Sequence, residues 1–270
     1  MKFKPFLTIL VSMMLAGCGK ETSVAPTPTE EPITIPGLNL DMMAIPAGTF
    51  VMGSPNDEEG RDDGEGPRTT VTITKPFWLG KTEVTQSQWK AVMGNNPSRF
   101  KGDDLPVEQV SWNDAVAFCE KLNEVARDTL PDGYHYTLPT EAQWEYACRA
   151  GTTTRFYYGD DDNQLGNYAW YHDNKSLKTQ PVGEKLPNGW GLYDIHGNVW
   201  EWCLDWYDKD YYRVSPEINP EGPQGPLKMK VLRGGSWVNS IEGVKVVNRA
   251  RNLPHIKNEI YGFRTALSSQ

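Results

Sequence analysis

The chain has 270 residues, 38% of them hydrophobic, and carries 27 basic against 35 acidic side chains for a net charge of −8. That length and apolar content can bury one sizeable core. The acidic balance argues against nucleic acid as a partner, which asks for a basic face. No run of 18 apolar residues is present to span a bilayer, and 25 glycines with 20 prolines point to many turns rather than a helical bundle.

Lys2 and Lys4 precede an apolar stretch, Phe6 to Ala16, that is too short to cross a membrane. Leu15-Ala16-Gly17-Cys18 follows and resembles a bacterial lipobox. Residues 1–18 are therefore expected to be a lipoprotein signal peptide, with Cys18 the lipid-bearing start of the mature chain. A lipid there holds a protein on a membrane of the cell envelope without threading it. Residues 19–36 are poor in apolar side chains and rich in Pro, Thr and Glu, as an extended tether is. The folded domain is expected over 37–270. Cys119, Cys148 and Cys203 remain, an odd number with no zinc-type spacing, and they read as small core residues.

Short strands are expected around Met42–Pro46, Gly48–Gly53, Val71–Thr74 and Phe77–Lys81. The acidic stretch from Asn56 to Pro67 lacks the EF-hand series and reads as a solvated loop. Three helices announce themselves by capping signals. Thr85 with Gln88 opens the first, which runs to about Met93. Ser111 opens the second, with Ala115, Phe118, Cys119 and Leu122 on one face. Thr140 opens the third, with Trp144, Ala147 and Cys148 inward and Gly151 as its stop. After 151 the pattern is loop and short strand, and the four histidines, His135, His172, His196 and His255, are too scattered to form a ligand set.

The most distinctive stretch is Gly189 to Trp206, GWGLYDIHGNVWEWCLDW, which holds four of the ten tryptophans. Those indoles are expected in the core. Gly197-Asn198 suits a turn with positive φ. Such a turn brings backbone carbonyls toward Asp194 and Glu201, an oxygen environment suited to Ca²⁺.

Pro46-Ala47-Gly48-Thr49-Phe50, Glu83-Val84-Thr85, Leu138-Pro139-Thr140-Glu141-Ala142-Gln143-Trp144-Glu145-Tyr146-Ala147, Gly191-Leu192-Tyr193-Asp194, Gly197-Asn198-Val199-Trp200-Glu201-Trp202, Arg233-Gly234-Gly235-Ser236-Trp237 and Gly262-Phe263-Arg264 closely resemble, in order, the sulfatase-modifying factor or formylglycine-generating enzyme family. The resemblance implies an α+β domain related to C-type lectins: compact, loop-rich, with a few helices and short antiparallel strands. It implies structural calcium held by Asp194, Glu201 and the carbonyls of Gly197 and Val199. A second calcium site would fall on Asn167, the Tyr168 carbonyl, Asn174 and the Ser176 carbonyl.

The family's oxidases bind copper through two cysteines within about ten residues after Gly-Gly-Ser. Here Asn239 and Gly243 fall near those positions, and no cysteine follows Ser236. Soft thiolates select Cu(I), so copper is not expected. The cysteine that some members carry after Gly-Phe-Arg is Thr265 here, which leaves Cys148 without the partner the family suggests. The iron-binding histidine cluster and added domain of the sulfoxide-synthase branch are also missing from this sequence. The expected function is a lipid-anchored, non-catalytic binding or assembly module for a protein or glycan, with Ser236, Trp237 and Asn239 as candidate contact residues. The alternative is an oxidoreductase acting on a thiol through a variant centre. Residues 238–261 stand where variable lectin-like proteins carry a diversified loop.

Overall fold

The computed structural model describes residues 26–174 and 177–269. Eleven strands are present among them: β1 (Ile33–Ile35), β2 (Leu40–Ile45), β3 (Gly48–Met52), β4 (Thr69–Ile73), β5 (Phe77–Gly80), β6 (His135–Thr137), β7 (Trp200–Trp206), β8 (Lys230–Arg233), β9 (Ala250–Asn252), β10 (Tyr261–Gly262) and β11 (Ala266–Ser268). Three α-helices accompany them: α1 (Gln86–Met93), α2 (Trp112–Val125) and α3 (Glu141–Arg149). The architecture is α+β. A five-stranded antiparallel sheet runs β1-β2-β5-β11-β6, and a four-stranded sheet runs β10-β7-β8-β9 with β10 parallel to β7. The β3–β4 hairpin stands apart as a third sheet.

The helices start where their hydroxyl residues put them. Thr85, Ser111 and Thr140 each cap a helix, and each belongs to a reciprocal box with the residue three further on. Two orphan backbone donors are satisfied per box. Ala115, Phe118, Cys119 and Leu122 form the buried face of α2, and they pack with Trp89 of α1 and Phe263. The third helix ends one residue early: Ala150, at φ 44°, takes the left-handed cap ahead of Gly151.

Two expectations change. The outer half of the segment read as a tether is part of the domain, because β1 pairs with β2 through Ile33–Met42 and Ile35–Leu40. Trp78 Nε1 donates to the Glu31 carbonyl at 2.8 Å, and Trp190 Nε1 to the Pro26 carbonyl at 3.2 Å. A few hydrogen bonds to buried indoles dock a stretch too polar to announce itself. The acidic segment Asn56–Pro67 is likewise not simply solvated. Glu65 is buried and accepts from Ser54, and the buried ammonium of Lys245 donates to the carbonyls of Glu59 and Gly60 at 3.0 and 3.1 Å.

Trp190, Trp200 and Trp202 are core, as expected, and Trp206 is half-buried. Cys119, Cys148 and Cys203 are all buried free thiols. Among the described residues no helix is long and apolar enough to cross a membrane.

Candidate functional site

Four ionisable side chains meet beneath the Gly197-Asn198 turn. Glu201, on β7, accepts from Arg264 at both oxygens, 2.7 Å each, and its Oε2 also accepts from Trp144 Nε1 at 2.7 Å. The Arg264 guanidinium completes its donors on the carbonyls of Gly80 and Tyr193, both at 2.9 Å. Asp194, held at φ 53°, accepts the Gly183 amide on Oδ2 at 2.6 Å, while its buried Oδ1 has no partner. Glu83 completes the group and accepts from the Val199 amide and the Asn198 side chain, each at 3.3 Å.

Three buried carboxylates thus share one guanidinium. Burial, with Asp194 and Glu201 alongside, holds Glu83 well above the usual carboxylate range. Burial likewise raises Asp194. An excess of negative charge out of water is costly unless a proton or a cation offsets it.

The turn itself is sterically specified. At Gly197, φ 83°, an added Cβ would come within 2.1 Å of the Trp170 carbonyl oxygen. Asn198 then ties the carboxylate group to the next segment. Its side chain donates to Glu83 and to the Gln180 carbonyl, and its own carbonyl accepts from the Trp237 amide at 3.0 Å.

The loop from Gly234 to Val247 is clipped shut by Arg233. This fully buried side chain donates to Glu141 and Glu145 at 3.2 and 2.6 Å and to the carbonyls of Val246 and Val247 at 2.9 and 3.2 Å. Within the loop, the Ser236 hydroxyl and amide both donate to Asn239 Oδ1, at 2.7 and 3.0 Å. Ser236 and Trp237 are buried, Asn239 is partly exposed, and Val238 and Ser240 face solvent. The outward rim is therefore Val238–Ser240, and Phe100 packs edge-on against Trp237 behind it.

Asn239 and Gly243 are neighbours, since a Cβ added at Gly243 would lie 2.8 Å from that of Asn239. The next residue, Val244, is buried with Phe156, Leu165 and Ala169. No thiol stands at this place. Cys203 has no exposed surface, and burial pushes its thiol well above the ordinary value.

The residues of the two expected calcium sites are placed differently. Asp194, Gly197, Val199 and Glu201 come together, with Asp194 Oδ1 the free buried oxygen and Glu201 engaged by Arg264 and Trp144. At Asp194 an orphaned carboxylate oxygen and surplus negative charge coincide. In the other set, Asn167 is exposed and donates to Gln164, while Asn174 Oδ1 accepts from the Tyr171 amide at 2.8 Å. The Tyr168 carbonyl lies 3.5 Å from the Tyr157 hydroxyl. Ser176 and Cys18 lie outside the described residues. Among the described residues no three His, Cys, Asp or Glu side chains are grouped to hold a metal ion.

Sequence reasoning missed Glu108. Its side chain is buried and holds the Phe100 amide on Oε1 at 2.8 Å, while Oε2 has no partner. Burial raises its pKa to about 7. A carboxyl whose folded pKa is raised adds stability that is complete in acid and lost as pH climbs through that value. Glu108→Gln should therefore melt a few degrees above the parent at pH 8, and the gap should close near pH 5. Melting curves across that window check it; parallel pH slopes would show that Glu108 does not titrate there.

A fold with these sheets, an RGGSW clip and a GFR-carboxylate core defines a class. The Sulfatase-modifying factor enzyme 1-like domain matches residues 30–269, and the chain belongs to that family. It is 33% identical over 220 residues to "Chaperone protein LppX" of Paenibacillus barcinonensis, covering 65% of this chain and 74% of that protein. It is 30% identical to the "Formylglycine-generating enzyme" of Streptomyces coelicolor, covering 94% of this chain and 96% of the relative. Among solved structures, "Treponema denticola variable protein 1" superposes with a TM-score of 0.78 at 34% identity, covering 89% of this chain and 99% of that one.

Proposed function

We propose that this protein is a lipid-anchored binding or assembly module of the cell envelope that engages a protein client and carries out no thiol oxidation. One observation carries the reading: Asn239 and Gly243 adjoin at the rim, and neither can supply a soft ligand for copper. The scaffold around them is kept nonetheless, with Arg233 closing the loop and Asn198 tying it to the core. The relative named as a chaperone supports a protein client. Lipid attachment at Cys18 would hold the domain at a membrane surface.

The test is one cellular experiment. A photo-crosslinking amino acid at exposed Val238 should give discrete protein adducts in the membrane fraction, and one at exposed Val125 should give none. Adding Cys18→Ser should move the protein to the soluble fraction and remove those adducts. Absence of rim adducts, together with oxidation of a peptide thiol by the purified protein, would make it an oxidoreductase instead.

Calcium beside Asp194, with the carbonyls of Gly197 and Val199, would be structural in this reading. At 100-fold excess over Kd, binding to the folded state alone adds about 2.7 kcal/mol, or roughly 5–10 °C in a domain of this size. Chelation should lower the melting temperature of the parent by that order and leave Asp194→Asn unmoved. Elemental analysis showing no metal, with a chelator-insensitive melt, would remove calcium from the description.

A further inference from the structure

Most outer strands of this fold are too short or too well covered to pair with another chain. β1, β6 and β9 have three residues each and β10 has two. The far side of β4 is taken, since the Thr72 amide donates to the Glu217 carbonyl at 2.7 Å and the Thr72 carbonyl accepts from the Asn219 amide at 3.0 Å. β3 differs: its five residues, Gly48–Met52, form the other edge of the hairpin.

The register fixes which groups of β3 are free. Thr72 stands opposite Thr49, and both backbone groups of Thr72 point away toward residues 217–219, so the two residues share no backbone hydrogen bond. Thr49 therefore turns its own amide and carbonyl away from β4, and Val51, two residues on, does the same. Among the described residues neither has a backbone hydrogen-bond partner on that side. These groups are within reach, because Thr49 is exposed and Val51 is 43% exposed.

Natural sheet edges are guarded by charge, proline or a bulge. β3 reads Gly-Thr-Phe-Val-Met, with neither charge nor proline, and its pairing with β4 runs without a register shift. A row of outward amides and carbonyls is matched by another extended backbone. Here the free groups lie on residues 49 and 51, symmetric about Phe50. A two-fold axis at Phe50 sets Thr49 opposite Val51 of a second copy, and each of the two such pairs exchanges two hydrogen bonds. Thr49 and Val51 are both β-branched, which suits such a ladder. We propose that the protein associates as a two-fold dimer through antiparallel pairing of β3 with the same strand of a second copy.

The test is sedimentation equilibrium of the detergent-solubilised full chain over a range of concentrations, with hydrogen exchange read at Thr49 and Val51. The parent should dimerise reversibly, and both amides should exchange more slowly in the dimer. Val51→Pro removes an amide that the monomer leaves unbonded, so it should weaken the dimer at least tenfold while the chain stays folded. Val51→Lys brings two like charges together on the diagonal across the axis and should weaken the dimer as well. Adding Thr49→Glu to that variant sets opposite charges face to face and should restore the dimer, as this register alone requires. A monomer at every concentration overturns the proposal. So does a dimer that Val51→Pro leaves intact, or one that Thr49→Glu fails to rescue. Slow exchange at Thr49 and Val51 in a monomer overturns it too, since another stretch of the same chain would then cover the edge. Rim crosslinking at Val238 reports separately, so either reading can fail without the other.

Discussion

Glu201→Ala should lower the melting temperature by roughly 10 °C. The side chain is fully buried and, among the described residues, is the one carboxylate hydrogen-bonded to Arg264, which is itself without exposed surface. Removing one member of a buried ion pair leaves the other charge uncompensated, at a cost of about 3–5 kcal/mol. In a domain of this size each kcal/mol is worth about 2–4 °C. Trp144 Nε1 would lose its acceptor in the same step. The pairing can be isolated by a double-mutant cycle. Glu201→Ala with Arg264→Met should be less damaging than the sum of the two single changes. A melting temperature within 2 °C of the parent for Glu201→Ala would mean that Arg264 finds Glu83 or Asp194 as a substitute partner.

The second large effect is an absence of chemistry. Copper-loaded protein, oxygen and a peptide bearing the sulfatase-type Cys-x-Pro-x-Arg motif should yield no aldehyde by mass spectrometry. Copper(I) is taken up by closely spaced thiolates, and the three cysteines among the described residues are dispersed over α2, α3 and β7. Burial raises all three thiols, and a thiol without its thiolate is neither nucleophile nor ligand. Aldehyde formation that disappears in Cys203→Ser would overturn the non-catalytic reading, since it would require β7 to open and expose a sulfur now sealed in the core.

Much of this fold is legible because its local signals agree. The three capping boxes fix helix starts to the residue, and the 3.6-residue spacing on α2 assigns its buried face. The strands β2 to β5 also follow from their apolar runs and turns. β7 is harder to see. Trp200, Glu201, Trp202 and Cys203 are all buried, because α2 and α3 both pack on this strand, so the alternation that marks a half-exposed strand is absent. The carboxylate group was half readable: the turn and Asp194 follow from residue type, but Arg264 closes on Glu201 across 63 positions. Lys245 was invisible for a similar reason. A long side chain buried by carbonyls 185 and 186 residues away leaves no local trace.

The place of β11 bears on how the protein is made. This last strand lies between β5 and β6, so the central pairing of the five-stranded sheet waits for residues 266–268. Arg264, which neutralises Glu201, arrives only just before. A chain emerging N-terminus first, from a ribosome or through a translocation pore, therefore holds α1, α2 and the first strands without the element that joins them. Non-local pairing of this kind is slow because loop closure precedes its reward. Folding is thereby deferred to the end of synthesis or transport, and a chain cut before Phe263 would present an open sheet edge to its neighbours.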